Sequence, residues 1–212
     1  MSKDELVTKL ERENSKIIYQ SLLNKNIERP TSEAKIMEKL AIQLDENDWI
    51  SIYSIPFWAT VEVKLRSFQI SINHFYYFTN EKLHLIGLSN TPYCYFCEGH
   101  FETIQHLFID CPYVTHLWLY IETLMAKIGP EYQLDTPKKL FGFYSDYPHV
   151  NILNHLTIVT KHFIHMCKSK KEIPTLNNLK KRISDTEFLE RQIAFQKQKM
   201  ETHEDKWKCL SV

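Results

Sequence analysis

With 212 residues, 43% of them hydrophobic and 13% aromatic, the chain is long enough for one large domain or two small ones and has the composition of a folded protein. Lysine plus arginine equals aspartate plus glutamate at 26 each, so net charge alone singles out no acidic partner. Only four glycines are present, with no G-x-G-x-x-G or G-x-x-x-x-G-K-[ST] pattern, which argues against a glycine-rich β-barrel and against phosphate-cradling loops.

Residues 3–24 read as a polar amphipathic helix, with Leu6, Leu10, Ile17 and Leu22 on loosely helical spacing. Pro30 interrupts it, and Thr31 or Ser32 can cap a new helix that runs to about Leu44. Acidic "DEND" follows, and a more apolar region begins at Trp49 and Ile50. From Thr60 to Phe78, Val61, Leu65, Phe68, Ile72 and Phe75 make one helical stripe. "EKLHLIGL" predicts a short helix stopped near Gly87, and "SNTPY" a turn leading into Cys94. A short hairpin at 93–97 is the one place where a strand is expected.

Pro112 permits a fresh helix start. Val114, Leu117, Trp118, Ile121, Leu124, Met125 and Ile128 then form the strongest stripe in the chain, closed by Gly129-Pro130. A proline- and tyrosine-containing loop leads to a helix carrying Ile152, Leu156, Val159, Phe163 and Met166, and a last charged helix runs from about Leu176 toward Trp207. Trp118 belongs to the core on this pattern, whereas Trp207 is either a tail anchor or exposed. The expected fold is mostly α, divided into an N-terminal helical segment (1–48), a central domain (49–130) and a C-terminal helical basic segment (131–212).

The charge is unevenly spread. Residues 161–212 hold 12 Lys/Arg against 7 Asp/Glu, an excess that residues 1–160 offset. No signal-peptide core opens the chain and no stretch approaches the roughly twenty apolar residues of a membrane span. The expectation is an intracellular protein, nuclear or cytoplasmic, with no membrane. There thiols stay reduced and clustered cysteines favour metal over disulfide.

Such a cluster exists. "CYFCEGHFETIQHLFIDC", residues 94–111, concentrates three of the five cysteines and two histidines. Cys94, Cys97, His106 and Cys111 give C-x2-C-x8-H-x4-C, the donor set of a structural Zn2+ site. Two residues between the first cysteines allow a tight turn that aims both sulfurs at one point, and Thr103 can cap the short helix that carries His106. Leu107 and Phe108 would anchor that helix in the core. His100 also satisfies the pattern, but at three residues from Cys97 it leaves a cramped loop, so His106 is favoured. Four protein donors leave no open coordination position, which makes the metal structural and not catalytic. The expected fold is thus a helical domain with an embedded CCHC zinc knuckle, and residues 49–130 are its zinc-binding domain. Cys167 lies near His162 and His165, yet no third group is evident to orient a catalytic pair.

The stretch "SFQISINHFYYFTNEKLHLIGLSNTPYCYFCEGHFETIQHLFIDCPYVTHLW" resembles the zinc-binding region C-terminal to the reverse transcriptase of LINE-type non-LTR retrotransposons. The resemblance rests on Phe68-Gln69, Thr79-Asn80 with Leu83, Cys94 and Cys97, Glu102-Thr103 with His106-Leu107-Phe108, Cys111 and Trp118. Where that family often carries basic residues after Phe-Gln, this chain reads "ISINHFYYF". No Tyr-x-Asp-Asp motif occurs, so the resemblance implies no polymerase or endonuclease activity of the chain's own: it is expected not to be an enzyme. It implies instead contact with RNA or DNA. Lys168, Lys170, Lys171, Lys180, Lys181 and Arg182 are the candidates for phosphate contact, and Tyr95 and Phe96 for stacking on unpaired bases. The same lysines can equally be a solvated helix face, the same aromatics packing for the metal loop, and the partner a protein.

Overall fold

The computed structural model describes residues 30–129, 132–144 and 149–210. The helix expected over residues 3–24 lies outside them. Nine α-helices and one π-helical turn are found among the described residues, and no strand. The helices are α1 (Ser32–Leu40), α2 (Glu46–Ala59), α3 (Val63–Asn73), α4 (Asn80–Leu85), α5 (Pro112–Ile128), α6 (Thr136–Phe141), α7 (Val150–Lys170), α8 (Leu176–Gln196) and α9 (Met200–Trp207). No helix among the described residues is long and apolar enough to cross a membrane.

At the centre stands α7, buried from Ile152 to Ile164 on every face, with α2, α3, α5, α8 and α9 packed around it. A helix enclosed on all sides has no solvated face for its polar residues, so each needs an internal partner. Asn154 brackets Phe143, accepting from its N–H at 2.6 Å and donating to its carbonyl at 3.0 Å. Gly142 permits that approach, since its φ is +90° and a Cβ there would lie 2.2 Å from Asn154 Oδ1. Lys161 is wholly buried and donates to the Leu140 carbonyl. One hydrophobic cluster extends from Ile36 to Trp207.

The stripe predicted for α5 buries Val114, Leu117, Trp118, Ile121 and Met125, with Pro112 at the first turn where its missing N–H costs nothing. Other elements depart from expectation. The helix after Thr31 ends at Leu40, where Ala41 turns left-handed (φ 52°). The 60–78 helix is confined to Val63–Asn73, and Val61 is exposed. The last charged helix breaks at residues 197–199 into α8 and α9, and Trp207 is buried (6% exposed). Short α6 replaces part of the expected proline loop; Asp135 caps it by accepting from the Lys138 N–H at 2.8 Å.

The "DEND" stretch opens α2. Asp45 accepts from the Asp48 N–H at 2.9 Å, and Asp48 returns the bond to the Asp45 N–H at 3.0 Å, a reciprocal cap. Pro56 sits inside this helix and cannot donate to the Ile52 carbonyl four residues earlier. Asn73 does so instead: its Nδ2 donates to Ile52 O at 3.0 Å from the end of α3. Gln69 reaches both Asn73 Oδ1 (2.7 Å) and the Leu140 carbonyl (2.9 Å), so the two polar residues on the buried face of α3 tie three elements together.

Candidate metal centre

Between α4 and α5 the chain makes a tight loop closed by hydrogen bonds across its neck. The Cys94 N–H donates to the His100 carbonyl at 2.8 Å and the Glu102 N–H to the Pro92 carbonyl at 2.9 Å, with an antiparallel bridge between Tyr93 and Phe101. The hairpin expected at 93–97 is therefore only this bridge, and Cys94 to Cys97 form the turn inside it. Glu98, at φ 53°, takes the left-handed conformation that brings the chain back after Cys97.

Of the other two donors, His106 opens the π-helical turn His106–Asp110 and Cys111 follows directly after it. The Cys111 N–H donates to the His106 carbonyl at 2.8 Å, a bond across five residues in place of four. The widened turn lets residues 106 and 111 serve one point, which a regular α-helix at this separation would not. Thr103 caps the turn as the sequence suggests, accepting from the His106 N–H at 3.0 Å. Leu107 and Phe108 are fully buried, and Trp118 Nε1 donates to the Phe108 carbonyl at 2.6 Å.

The ligand atoms of Cys94, Cys97, His106 and Cys111 all lie within 4.8 Å of one another. Cys94 and Cys111 bring their sulfurs to 3.8 Å, and Cys97 Sγ lies 3.2 Å from His106 Nε2. Sulfurs bound at the usual distance to a tetrahedral zinc stand about 3.8 Å apart, and a sulfur and an imidazole nitrogen about 3.6 Å apart. The first spacing matches, and the second falls within a few tenths of an ångström. All the cysteines are free thiols. His100 is exposed, its ring stacked on His106 at 5.1 Å, with Nδ1 3.9 Å from Cys97 Sγ; it stands beside the four-donor group and not in it.

Ionisation within the group is uneven. The hydrogen bond between the two sulfurs pulls the Cys94 thiol down to about 5 against the cost of burial, and the same bond pushes Cys111 up. Elsewhere, burial pushes the Cys167 thiol up to about 11, the wrong direction for a nucleophile.

The carboxylate of Glu102, fully buried, fixes the loop from outside. Its Oε1 accepts from the Asn80 N–H at 2.7 Å and from Lys168 Nζ, and its Oε2 accepts from the Tyr95 N–H at 3.0 Å. Asn80 Nδ2 also donates to the Tyr93 carbonyl at 2.9 Å, and Thr79 caps α4. The Thr-Asn and Glu-Thr pairs seen in the sequence are therefore the two halves of one hydrogen-bonded junction, joining the loop to α4 and to the end of α7.

The proposed nucleic-acid contacts are scattered. Phe96 is buried (5% exposed), so its ring faces have no room for a base; packing takes them up. Tyr95 is half-buried, and its hydroxyl donates to the Lys171 carbonyl at 3.0 Å. Lys168 is largely buried and committed to Glu102, which removes it from any outward phosphate contact. Arg182 pairs with Glu62 at 3.0 Å, and Lys180 lies over the Tyr120 ring at 5.1 Å. Lys171 is exposed at the left-handed end of α7. Lys170, Lys181 and Arg182 do come together, in a groove of about 510 Å³ between α7 and α8. Lys64, from the first turn of α3, lines it too; it lies outside the basic stretch of residues 161–212 that the sequence singled out. Glu62, Glu172 and Asp185 share the groove, so its positive excess is slight.

No curated protein matches the chain. A family model does: residues 32–118, which run from the first turn of α1 to Trp118 and contain all four donors, match zinc-binding in reverse transcriptase.

Proposed function

We propose that the protein is a zinc-stabilised module that binds nucleic acid, resembling the part of a LINE-type retrotransposon polyprotein that lies C-terminal to its reverse transcriptase. The carrying observation is the convergence of Cys94, Cys97, His106 and Cys111 inside a segment that matches zinc-binding in reverse transcriptase. Zinc at this site would hold the turn between α4 and α5 and leave no coordination position for substrate. The chain supplies no catalysis in this reading. Its groove supports the binding role: Lys64, Lys170 and Lys181 line it, and among the described residues none of the three is held in a salt bridge.

The test is binding of labelled single-stranded RNA and DNA at rising salt. Affinity should fall steeply with salt, and Lys170→Ala with Lys181→Ala should reduce the log–log salt slope by about 1.4. No retention of either strand at low salt would end this reading. One observation favours a protein partner instead: Leu85, Ile86 and Leu88 are exposed at 80%, 58% and 73% at the end of α4. A partner captured through that segment, insensitive to nuclease, would support the second reading over the first.

A further inference from the structure

Four rings form a continuous stack that begins in the core and ends in solvent. Trp49 lies 5.6 Å from Tyr53 at an interplanar angle of 27°, Tyr53 lies 4.9 Å from His74 at 13°, and His74 lies 5.5 Å from Tyr76 at 20°. Trp49 is 2% exposed, whereas Tyr76 is 69% exposed. The stack is pinned in the middle, where the Tyr53 hydroxyl donates to Glu33 Oε1 at 3.0 Å.

Its outer end is set by the backbone. Helix α3 closes with the Phe75 N–H donating to the Ile72 carbonyl at 2.9 Å and the Tyr76 N–H to the Ser71 carbonyl at 2.8 Å. This is the helix ending that normally places glycine at the left-handed position, yet Phe75 occupies it at φ 54°. A bulky side chain is disfavoured there. The consequence of that turn is that the next ring, Tyr76, lies flat against His74 with its other side toward solvent.

We infer that Tyr76 is a stacking platform for one unpaired nucleobase of a single strand. An exposed ring that prolongs a pinned stack offers a flat, pre-oriented face, which every base can match without sequence-specific hydrogen bonds. One lysine stands beside it: Lys82 donates through Nζ to the Phe75 carbonyl, one residue from the platform. Beside Tyr76 a groove of about 510 Å³, lined by Ser71, Phe78 and Ser169 among others, has room for the adjoining nucleotide. This inference rests on the nucleic-acid reading above and adds a residue that reading does not contain.

The experiment measures fluorescence anisotropy of a short labelled oligo(U) strand, and of a duplex of mixed sequence, with the full chain and with Tyr76→Ala, Tyr76→Leu and Tyr76→Phe. Thermal midpoints verify that each variant is folded. Tyr76→Ala and Tyr76→Leu should each weaken single-strand binding about tenfold with an unchanged salt slope, while Tyr76→Phe binds as the parent does. Duplex binding should be unaffected. If the parent binds the strand and folded Tyr76→Leu binds it equally well, the platform is refuted and the nucleic-acid reading stands. If the parent binds neither strand nor duplex, that reading fails, and the platform with it.

Discussion

Asn73 is the residue on which α2 most depends for its proline. The Ile52 carbonyl is fully enclosed in the helix pair, and Pro56 cannot supply its donor, so the Asn73 amide carries that duty from a neighbouring helix. Asn73→Ala should leave the carbonyl unpaired and cost about 1–3 kcal/mol, read as a lowered midpoint in urea unfolding. Pro56→Ala in the same chain restores a backbone donor, so the double variant should recover much of the loss. The asparagine was legible in the sequence only as a polar residue between Ile72 and Phe75 of an apolar stripe. Nothing local says which carbonyl it serves, because the need arises from a proline 17 positions earlier.

At the scale of elements, Glu102 sets the loop on the helices. A carboxylate buried with two backbone donors and one lysine is costly to disturb on one side only. Glu102→Gln should destabilise the protein by about 3 kcal/mol, because it leaves the Lys168 ammonium poorly compensated. Lys168→Met added to it should recover part of that cost, and the difference, measured by a double-mutant cycle in denaturant, gives the coupling. The elements that periodicity made legible are those with one dry face, above all α5 with its stripe from Val114 to Met125. Helix α2 escaped because Pro56 interrupts it and because Asp45 and Asp48 cap it in place of the more familiar Ser/Thr-x-x-Glu pair. The break between α8 and α9 escaped because both helices are polar, so no apolar stripe marks where one ends. The four donors were legible from spacing; the π-helical turn that reconciles His106 with Cys111 was not, since one inserted residue leaves no compositional trace.

For the whole molecule, acidity acts through the enclosed central helix. Burial holds His155 at about 3 and His162 at about 4, both below the ordinary value near 6.5. Each group's folded value is depressed, so its contribution is fully present above about pH 6.5 and is lost as pH falls toward 3 to 4, where the unfolded chain takes up protons that the folded chain refuses. From Glu190, Lys206, Arg182, His165 and Lys64 come charges that face these two rings, and of these only Glu190 favours the protonated form of His155. Stability should therefore fall between about pH 6.5 and pH 5 by on the order of 1–2 kcal/mol per histidine, read as a lowered thermal midpoint, and His155→Gln should reduce that slope. Metal acts on the same equilibrium, since each thiol must lose its proton to bind. The most direct measurement is the metal content of the purified chain by native mass spectrometry, for the parent, for His100→Ala and for Cys94→Ser with Cys111→Ser. The parent and His100→Ala should each carry one zinc, and the double cysteine variant none. A parent free of zinc after preparation in its presence, or a double cysteine variant that keeps one ion, would contradict the account.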